Sequence, residues 1–204
     1  MCIRDRDIGM FTVGLTGGVA AGKSTATNFF IKKGITVVDA DIISRNLQLK
    51  GEEGYEKIVK KFSDEILDSN GEIDRKKIRE IAFSDPKNKK WLEELMHPII
   101  GNEVIKQFEK VESVWAIYSA PLWSKKNVFN RTLVIDAPKE IQLQRIIERD
   151  NCSKEVAEQV IAQQISSIER NCYATDLLIN DSSLEKFKNK LQFYFELYNN
   201  LANE

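Results

Sequence analysis

Phe11 to Lys33 reads FTVGLTGGVAAGKSTATNFFIKK. Within it, Gly17-Gly18-Val19-Ala20-Ala21-Gly22-Lys23-Ser24 fits the pattern G-x-x-x-x-G-K-[ST] at every fixed position, and Thr25 follows. Phe11, Val13 and Leu15 precede it in a β-rich run, and Ala26, Phe29 and Phe30 follow at helical spacing. Strand, glycine loop, helix is the order in which this pattern forms a phosphate-binding loop. The glycines let backbone N–H groups turn inward around phosphate oxygens, and the helix N-terminus adds the positive end of a dipole. Lys23 is placed to reach the β- and γ-phosphates, and Ser24 to set its hydroxyl on Mg²⁺. A plain glycine-rich turn ahead of a helix cap is the structural alternative. It does not account for four fixed residues agreeing in this setting. The stretch therefore predicts a nucleoside-triphosphate site.

Composition narrows the rest. The 204 residues suit one domain with room for an inserted subdomain. Hydrophobic content of 42% and charged content of 30% are ordinary for a globular chain. A net charge of -1 gives no ground for a nucleic-acid or membrane partner. Three cysteines at unrelated spacings (Cys2, Cys152, Cys172) suggest reduced thiols in a cytoplasm rather than disulfides or zinc. The single histidine, His97, excludes a histidine-built metal centre. No apolar run approaches a membrane span, and no signal peptide is read ahead of the first strand. Residues 1–9 have no periodicity. Met1-Cys2-Ile3-Arg4-Asp5-Arg6 is what a sequencing-library adapter encodes in this frame, so Met10 is the expected natural start.

After the loop helix, Lys33-Gly34 is a stop, and Ile35 to Val38 reads as a buried parallel strand ending in Asp39-Ala40-Asp41. Two carboxylates at i, i+2 beyond a strand's carboxyl end lie where open α/β sheets bind ligands. A helix cap is the competing reading. A helix is predicted from Ile42 to Gln48. Residues 51–112 have few β signals and predict helices over 54–62, 74–83 and 86–110, with Asn70-Gly71 as a turn and Asp85-Pro86 as a helix start. Asp74, Arg75, Arg79 and His97-Pro98 are the polar residues of interest there, although each alone reads more simply as a solvated face or cap. Strands follow at Ser113–Ala120 and Thr132–Ala137. Pro138 opens an amphipathic helix with Ile141, Ile146 and Ile147 inward. A single further helix from Ser153 to about Cys172 carries Gln163, Gln164 and Arg170. A last strand at Leu177–Ile179 precedes a closing helix from Ser183. This alternation predicts an α/β, P-loop NTPase-type three-layer fold: a parallel five-stranded sheet with a helical insertion and a helical lid.

Taken together, GLTGGVAAGKST (Gly14–Thr25), VVDADIISR (Val37–Arg45), Gly71 to Arg75, Trp91-Leu92-Glu93 with His97-Pro98, Pro121-Leu122, Arg149 to Glu155 and LLIND (Leu177–Asp181) resemble the dephospho-coenzyme A kinase family, over about Phe11 to Asp181. The resemblance implies ATP-dependent phosphorylation of the ribose 3′-hydroxyl of dephospho-coenzyme A. It implies a single domain over residues 10–204: a core of 10–44, 113–140 and 174–204, an acceptor-binding insertion of 45–112, and a lid of about 141–173. It implies nucleotide binding by Gly17 to Thr25 and Gln164, and catalysis by Lys23, Arg149 and Asp41 as general base. It implies acceptor contacts at Asp39, Asp41, Arg75, His97 and Pro121, and Mg²⁺ at Ser24 and Asp39. The expected partners are ATP and dephospho-coenzyme A, with the chain a monomer or weak homo-oligomer. One departure stands out. The family usually reads PLL-x-E after the third strand, whereas Pro121-Leu122-Trp123-Ser124-Lys125 has lysine in place of the glutamate.

Two other readings are compatible with the loop alone. A kinase of another nucleoside or small hydroxyl acceptor is disfavoured by the Asp39–Asp41 pair and the large insertion, and an acceptor panel separates it. A P-loop switch or ATPase acting on a protein partner calls for a water-positioning Gln or Glu after a strand-end aspartate. Here Asp136 is followed by Ala137-Pro138.

Overall fold

β1, Phe11–Gly17, is buried from Thr12 onward because it has a strand on each side. In this computed structural model, which describes residues 10–121 and 128–204, β1 pairs in parallel with β3 (Trp115–Ser119) and with β4 (Arg131–Asp136). With β2 (Thr36–Asp39) and β5 (Asp176–Ile179) the sheet order is β2-β3-β1-β4-β5. A strand covered on both faces and both edges has no solvated side. That is why Val13 and Leu15 here, and Leu133 to Ile135 in β4, form continuous apolar runs at 0% exposure. The five parallel strands of the expectation are present.

The chain divides into two compact units, Asp39–Lys110 and the rest of the described residues. In the sheet-bearing unit, α1 (Lys23–Lys32) and α9 (Leu184–Ala202) pack together and on the sheet around Trp115. The Trp115 ring meets Phe30 and Tyr198 edge-on, at 5.7 and 5.3 Å between centroids. Its buried indole N–H donates to Asn199 Oδ1 at 2.7 Å, so no polar atom of it is left unpaired. Behind this cluster lies a polar lock. The buried Asp176 carboxylate accepts from Arg131 Nε at 2.9 Å, Arg131 Nη2 at 2.6 Å and the Tyr198 hydroxyl at 2.9 Å. It thereby joins the starts of β4 and β5 to α9. Burial, reinforced by the negative charge of Asp176, pushes the Tyr198 hydroxyl pKa far above its usual value. α9 also closes the outer edge of β5. Tyr194 Oη donates to the Leu177 carbonyl at 3.1 Å, and Lys190 Nζ to the Ile179 carbonyl at 2.7 Å. Carbonyls capped in this way do not offer themselves to another strand.

The other unit contains α2 (Ala40–Asn46), α3 (Glu53–Phe62), a 3₁₀ turn (Asp64–Ile66), α4 (Arg75–Ser84) and α5 (Pro86–Phe108). Its starts are written locally. Asp39, Asp74 and Asp85 each cap the helix that follows by accepting its first backbone N–H groups, and Pro86 opens α5. Ile58, Ile66, Ile73 and Met96 form its own core, flanked by Phe62 edge-on to Trp91 at 5.4 Å. The only sheet-like feature found among its described residues is an isolated bridge between Leu67 and Ile73, closing the Asn70-Gly71 turn.

One expected helix is two. Ser153 to Cys172 breaks into α7 (Lys154–Ala162) and α8 (Ser167–Asn171), after α6 (Lys139–Asp150). The physical reason is a second cap: Ser166 Oγ accepts from the Glu169 N–H at 3.1 Å and starts a new helix. Gln142 also departs from the expected amphipathic pattern. It is buried at 5% exposure on α6, between Ile141 and Ile146.

Asp176→Ala strips both the Arg131 guanidinium and the buried Tyr198 hydroxyl of their acceptor. It is expected to cost about 3 kcal/mol, read as a lower midpoint with unchanged slope in urea unfolding.

Candidate active site

The loop Gly18–Gly22 joins β1 to α1 and is held open from outside by its carbonyls. Arg145 Nη1, from α6, donates to the Ala20 carbonyl at 3.1 Å, and Asn180 Nδ2 donates to the Ala21 carbonyl at 2.7 Å. Asn180 is itself fixed, its N–H donating to the Asp136 carbonyl at 2.8 Å. The Ala21 N–H closes the turn on the Gly18 carbonyl at 3.1 Å. The Gly22 N–H, on the peptide whose carbonyl Asn180 holds, points to the opposite side as a trans peptide requires. Amides presented in this way make an anion nest. Gly18 starts the turn, with its N–H on the Ile135 carbonyl at 3.3 Å. Ala20 is left-handed at φ 55°, a strained setting for a residue with a Cβ. Gly22 has φ +114°, and a Cβ there would stand 2.6 Å from Asn180 Nδ2. Only glycine satisfies both the backbone angle and the contact.

α1 begins at Lys23 with no side-chain cap from Gly22 and no acid in its first turn. A helix start of this kind suits a phosphate. Lys23 Nζ lies 3.4 Å from Ser119 Oγ at the end of β3. Ser24 is exposed, and Thr25 is half-buried beside it. Thr16 Oγ1 donates to the Pro121 carbonyl at 3.0 Å, which fixes the exit from β3. Lys125, the departure noted above, lies outside the described residues, as do residues 1–9.

The segment between α7 and α8 meets the loop at Gln164. Its Oε1 accepts from the Val19 N–H at 2.9 Å, so this residue is brought to the loop as expected. Arg149 is not. It makes a bidentate pair with Asp150 through Nε and Nη2, both at 2.7 Å, with side chains 57% and 41% exposed. That pairing holds the Asp150 carboxyl below its usual range. An exposed pair contributes little and exchanges readily. Asp136, at the end of β4, is committed to α8 and its own strand end: it accepts from Ser167 Oγ at 3.2 Å, Asn171 Nδ2 at 3.0 Å and the Ala137 N–H at 3.0 Å.

In the helical unit, Asp39 Oδ1 accepts from the N–H groups of Asp41 and Ile42 at 2.9 and 3.1 Å. The cap reading and the site reading of this aspartate thus coexist. Asp41 is half-buried in the first turn of α2. Arg75 starts α4 and His97 lies within α5, both exposed. α5 is the helix against which both α2 and α4 pack. No group of three His, Cys, Asp or Glu among the described residues could by itself hold a metal ion. Ser24 and Asp39 are hard oxygen donors of the kind Mg²⁺ takes when nucleotide phosphates and water supply its remaining ligands.

Sequence reading missed Arg145, Asn180 and Gln142. In the sequence Arg145 falls on the polar side of its helix and Asn180 just beyond the last strand. The signal of Arg145 and Asn180 is tertiary, since the carbonyls they hold are 125 and 159 residues away.

The dephospho-CoA kinase family model matches residues 11–186. The chain belongs to that family. A dephospho-CoA kinase of Idiomarina loihiensis is 41% identical over 191 residues, covering 92% of this chain and 95% of that one. One of Pseudoalteromonas translucida is 37% identical over 203 residues, covering 98% and 97%. The dephospho-CoA kinase structure from Campylobacter jejuni superposes with a TM-score of 0.61 at 28% identity, covering 92% of this chain and 96% of that one. The family carries the function: a kinase that transfers a phosphoryl group to a hydroxyl in the last step of coenzyme A synthesis. As a kinase of this family it uses ATP. No helix among the described residues is long and apolar enough to cross a membrane.

Gly22→Ala is expected to weaken ATP binding at least about tenfold, with a stability cost of about 1–3 kcal/mol. Gly34→Ala is the control, since Gly34 has φ +83° but nothing within 4 Å of the added Cβ. Titration calorimetry should find its ATP affinity intact. Equal losses in the two variants would show general backbone strain rather than a loop effect.

Proposed function

We propose that the chain phosphorylates the ribose 3′-hydroxyl of dephospho-coenzyme A, in the cytoplasm, as a monomer or weak homo-oligomer. The observation that carries this reading is the loop itself: the Ala20 and Ala21 carbonyls bound from outside, a left-handed Gly22, and an uncapped helix start at Lys23. Phosphoryl transfer asks a protein for positioning and charge neutralisation more than for covalent chemistry. The N–H groups of Val19, Ala20 and Gly22 to Thr25 and the Lys23 ammonium supply both for the triphosphate, the Gly18 and Ala21 N–H groups being bonded within the fold. Ser24 and Asp39 would hold Mg²⁺, which would supply neutralisation of phosphate charge when bound.

The acceptor side rests on the helical unit. Asp41 is the general base: it takes the proton of the attacking hydroxyl, or orients it, from within hydrogen-bond reach. Asp39, Arg75, His97 and Pro121 contact the acceptor. Arg149 leaves its surface pair with Asp150 to meet charge on the transferred group, an exchange that the weakness of an exposed ion pair permits. Gln164 contributes from the lid.

Release of ADP from purified protein with Mg²⁺-ATP, with and without dephospho-coenzyme A, tests the whole reading. Strong stimulation with coenzyme A as product is expected, and absence of stimulation with ATP still bound would refer the acceptor to a nucleoside panel. Lys23→Ala and Asp41→Asn are each expected to lower kcat by about 100-fold or more. Asp41→Asn should leave the ATP Kd close to wild type, whereas near-normal turnover in that variant would remove Asp41 as base.

A further inference from the structure

The Gln164 Oε1 oxygen has two donors on it. One is the Val19 N–H at 2.9 Å, a group of the phosphate-binding loop. The other is Arg170 Nη2 at 3.4 Å. An oxygen placed between a loop amide and a guanidinium has the surroundings of a phosphate oxygen.

Arg170 is unusual in its own right. It is only 4% exposed, and it makes no ion pair among the described residues. Nη2 donates also to the Ile165 carbonyl at 2.8 Å, another neutral partner. Asp136 is the acid whose charge acts on it, but that carboxylate is occupied by Ser167, Asn171 and the Ala137 N–H. Burial lowers the guanidinium pKa, with Asp136 opposing. A buried cation without a paired anion costs stability, and a neutral side chain would serve packing better. Nη1, meanwhile, lies over the loop: a Cβ on Gly18 would stand 2.9 Å from it. The missing side chain of Gly18 is what gives this guanidinium access to the loop. The break between α7 and α8, capped by Ser166, turns Arg170 inward.

The position along the loop indicates which phosphate is involved. The start of α1 serves the inner phosphates and Lys23 the outer ones. Val19 and Gly18 lie at the end of the loop remote from α1. Lys23 reaches toward β3 through Ser119, whereas Arg170 stands on the β4 side, where the Gly18 N–H bonds Ile135. Two cations thus approach the end of β1 from its two flanks.

We propose that Arg170 binds the terminal phosphate of ATP, and that Gln164 Oε1 marks where an oxygen of that phosphate sits. The proposal rests on the kinase reading above and adds a phosphate-binding cation that the motif does not contain.

The test is the preference for ATP over ADP, taken as the ratio of their dissociation constants with Mg²⁺ by titration calorimetry. Damage to the loop in general weakens both nucleotides, whereas loss of a terminal-phosphate contact weakens ATP alone. In Arg170→Met the preference is expected to fall about tenfold, the size of a lost charge-assisted hydrogen bond. The melting temperature without nucleotide is expected to hold or rise, because an unpaired buried charge is gone. A fall in preference of less than about threefold overturns the proposal, whatever the melting temperature does. If Arg170→Met does not fold, the same ratio is read on Arg170→Gln by the same criterion. Wild-type protein that binds no ATP overturns the kinase reading and this proposal together. Wild-type binding with an unaltered preference in the variant overturns the proposal alone.

Discussion

The hydrogen bond from Asn180 to the Ala21 carbonyl is the contact on which the working end of this protein depends. A loop of five small residues has no core of its own and collapses unless something outside holds it. Asn180 does this from the end of β5, with its backbone anchored to β4, and Arg145 does it from α6. The direction of the bonds matters as much as their presence. Donors placed on the outside take the Ala20 and Ala21 carbonyls, so neither carbonyl oxygen turns toward the anion. The sheet order makes this possible, because β1 sits next to β4 and β4 next to β5. Residues more than 120 positions apart then share one edge of the sheet.

Around that loop lies a set of buried polar groups that a globular core would ordinarily exclude: Gln142, Asp136, Arg170 and Asn180. Each loses hydration on burial, and Asp136 and Asn180 recover it through bonds to α8 and to a loop carbonyl. Asp136 is the pattern case. Its two oxygens accept from three groups, two of them on α8, so this strand-end carboxylate is a structural anchor. Arg170 is the exception, bonded only to neutral acceptors. That asymmetry gives it meaning: stability is conceded at a point where an anion is to be bound.

The two units solve different problems. The sheet-bearing unit joins its strands to α9 with an aromatic cluster around Trp115 and the Asp176 lock, which are long-range contacts. The helical unit is built from local signals, with an aspartate at the start of α2, α4 and α5, and a compact aliphatic core of its own. Asp39 shows how one residue can serve both chemistry and architecture. It ends β2 and, through one oxygen, starts α2.

Much was legible in the chain because the governing signals are short-ranged. The pattern from Gly17 to Ser24 requires a strand before it and a helix after it, since the glycines are needed only where backbone amides must converge. The apolar runs at Val13, Leu133 and Leu178 read as strands, the first two buried on both faces and the last with Leu177 exposed on one. The aspartates ahead of α4 and α5 announced their helices, and DAD with HP identified the family. What the chain alone left open is the set of contacts made across sequence distance. Ser166 looked like any helix residue until its cap split α7 from α8. Arg145 and Asn180 looked like ordinary polar residues until the sheet brought them to the loop. Arg149, expected at the phosphates, is paired with its own neighbour, whereas Arg170 is the buried cation at the loop. Local backbone preference is written residue by residue and can be read from the sequence. Which donor meets which carbonyl is fixed only when strand order and helix breaks bring distant segments within hydrogen-bond reach, and tertiary structure alone decides that.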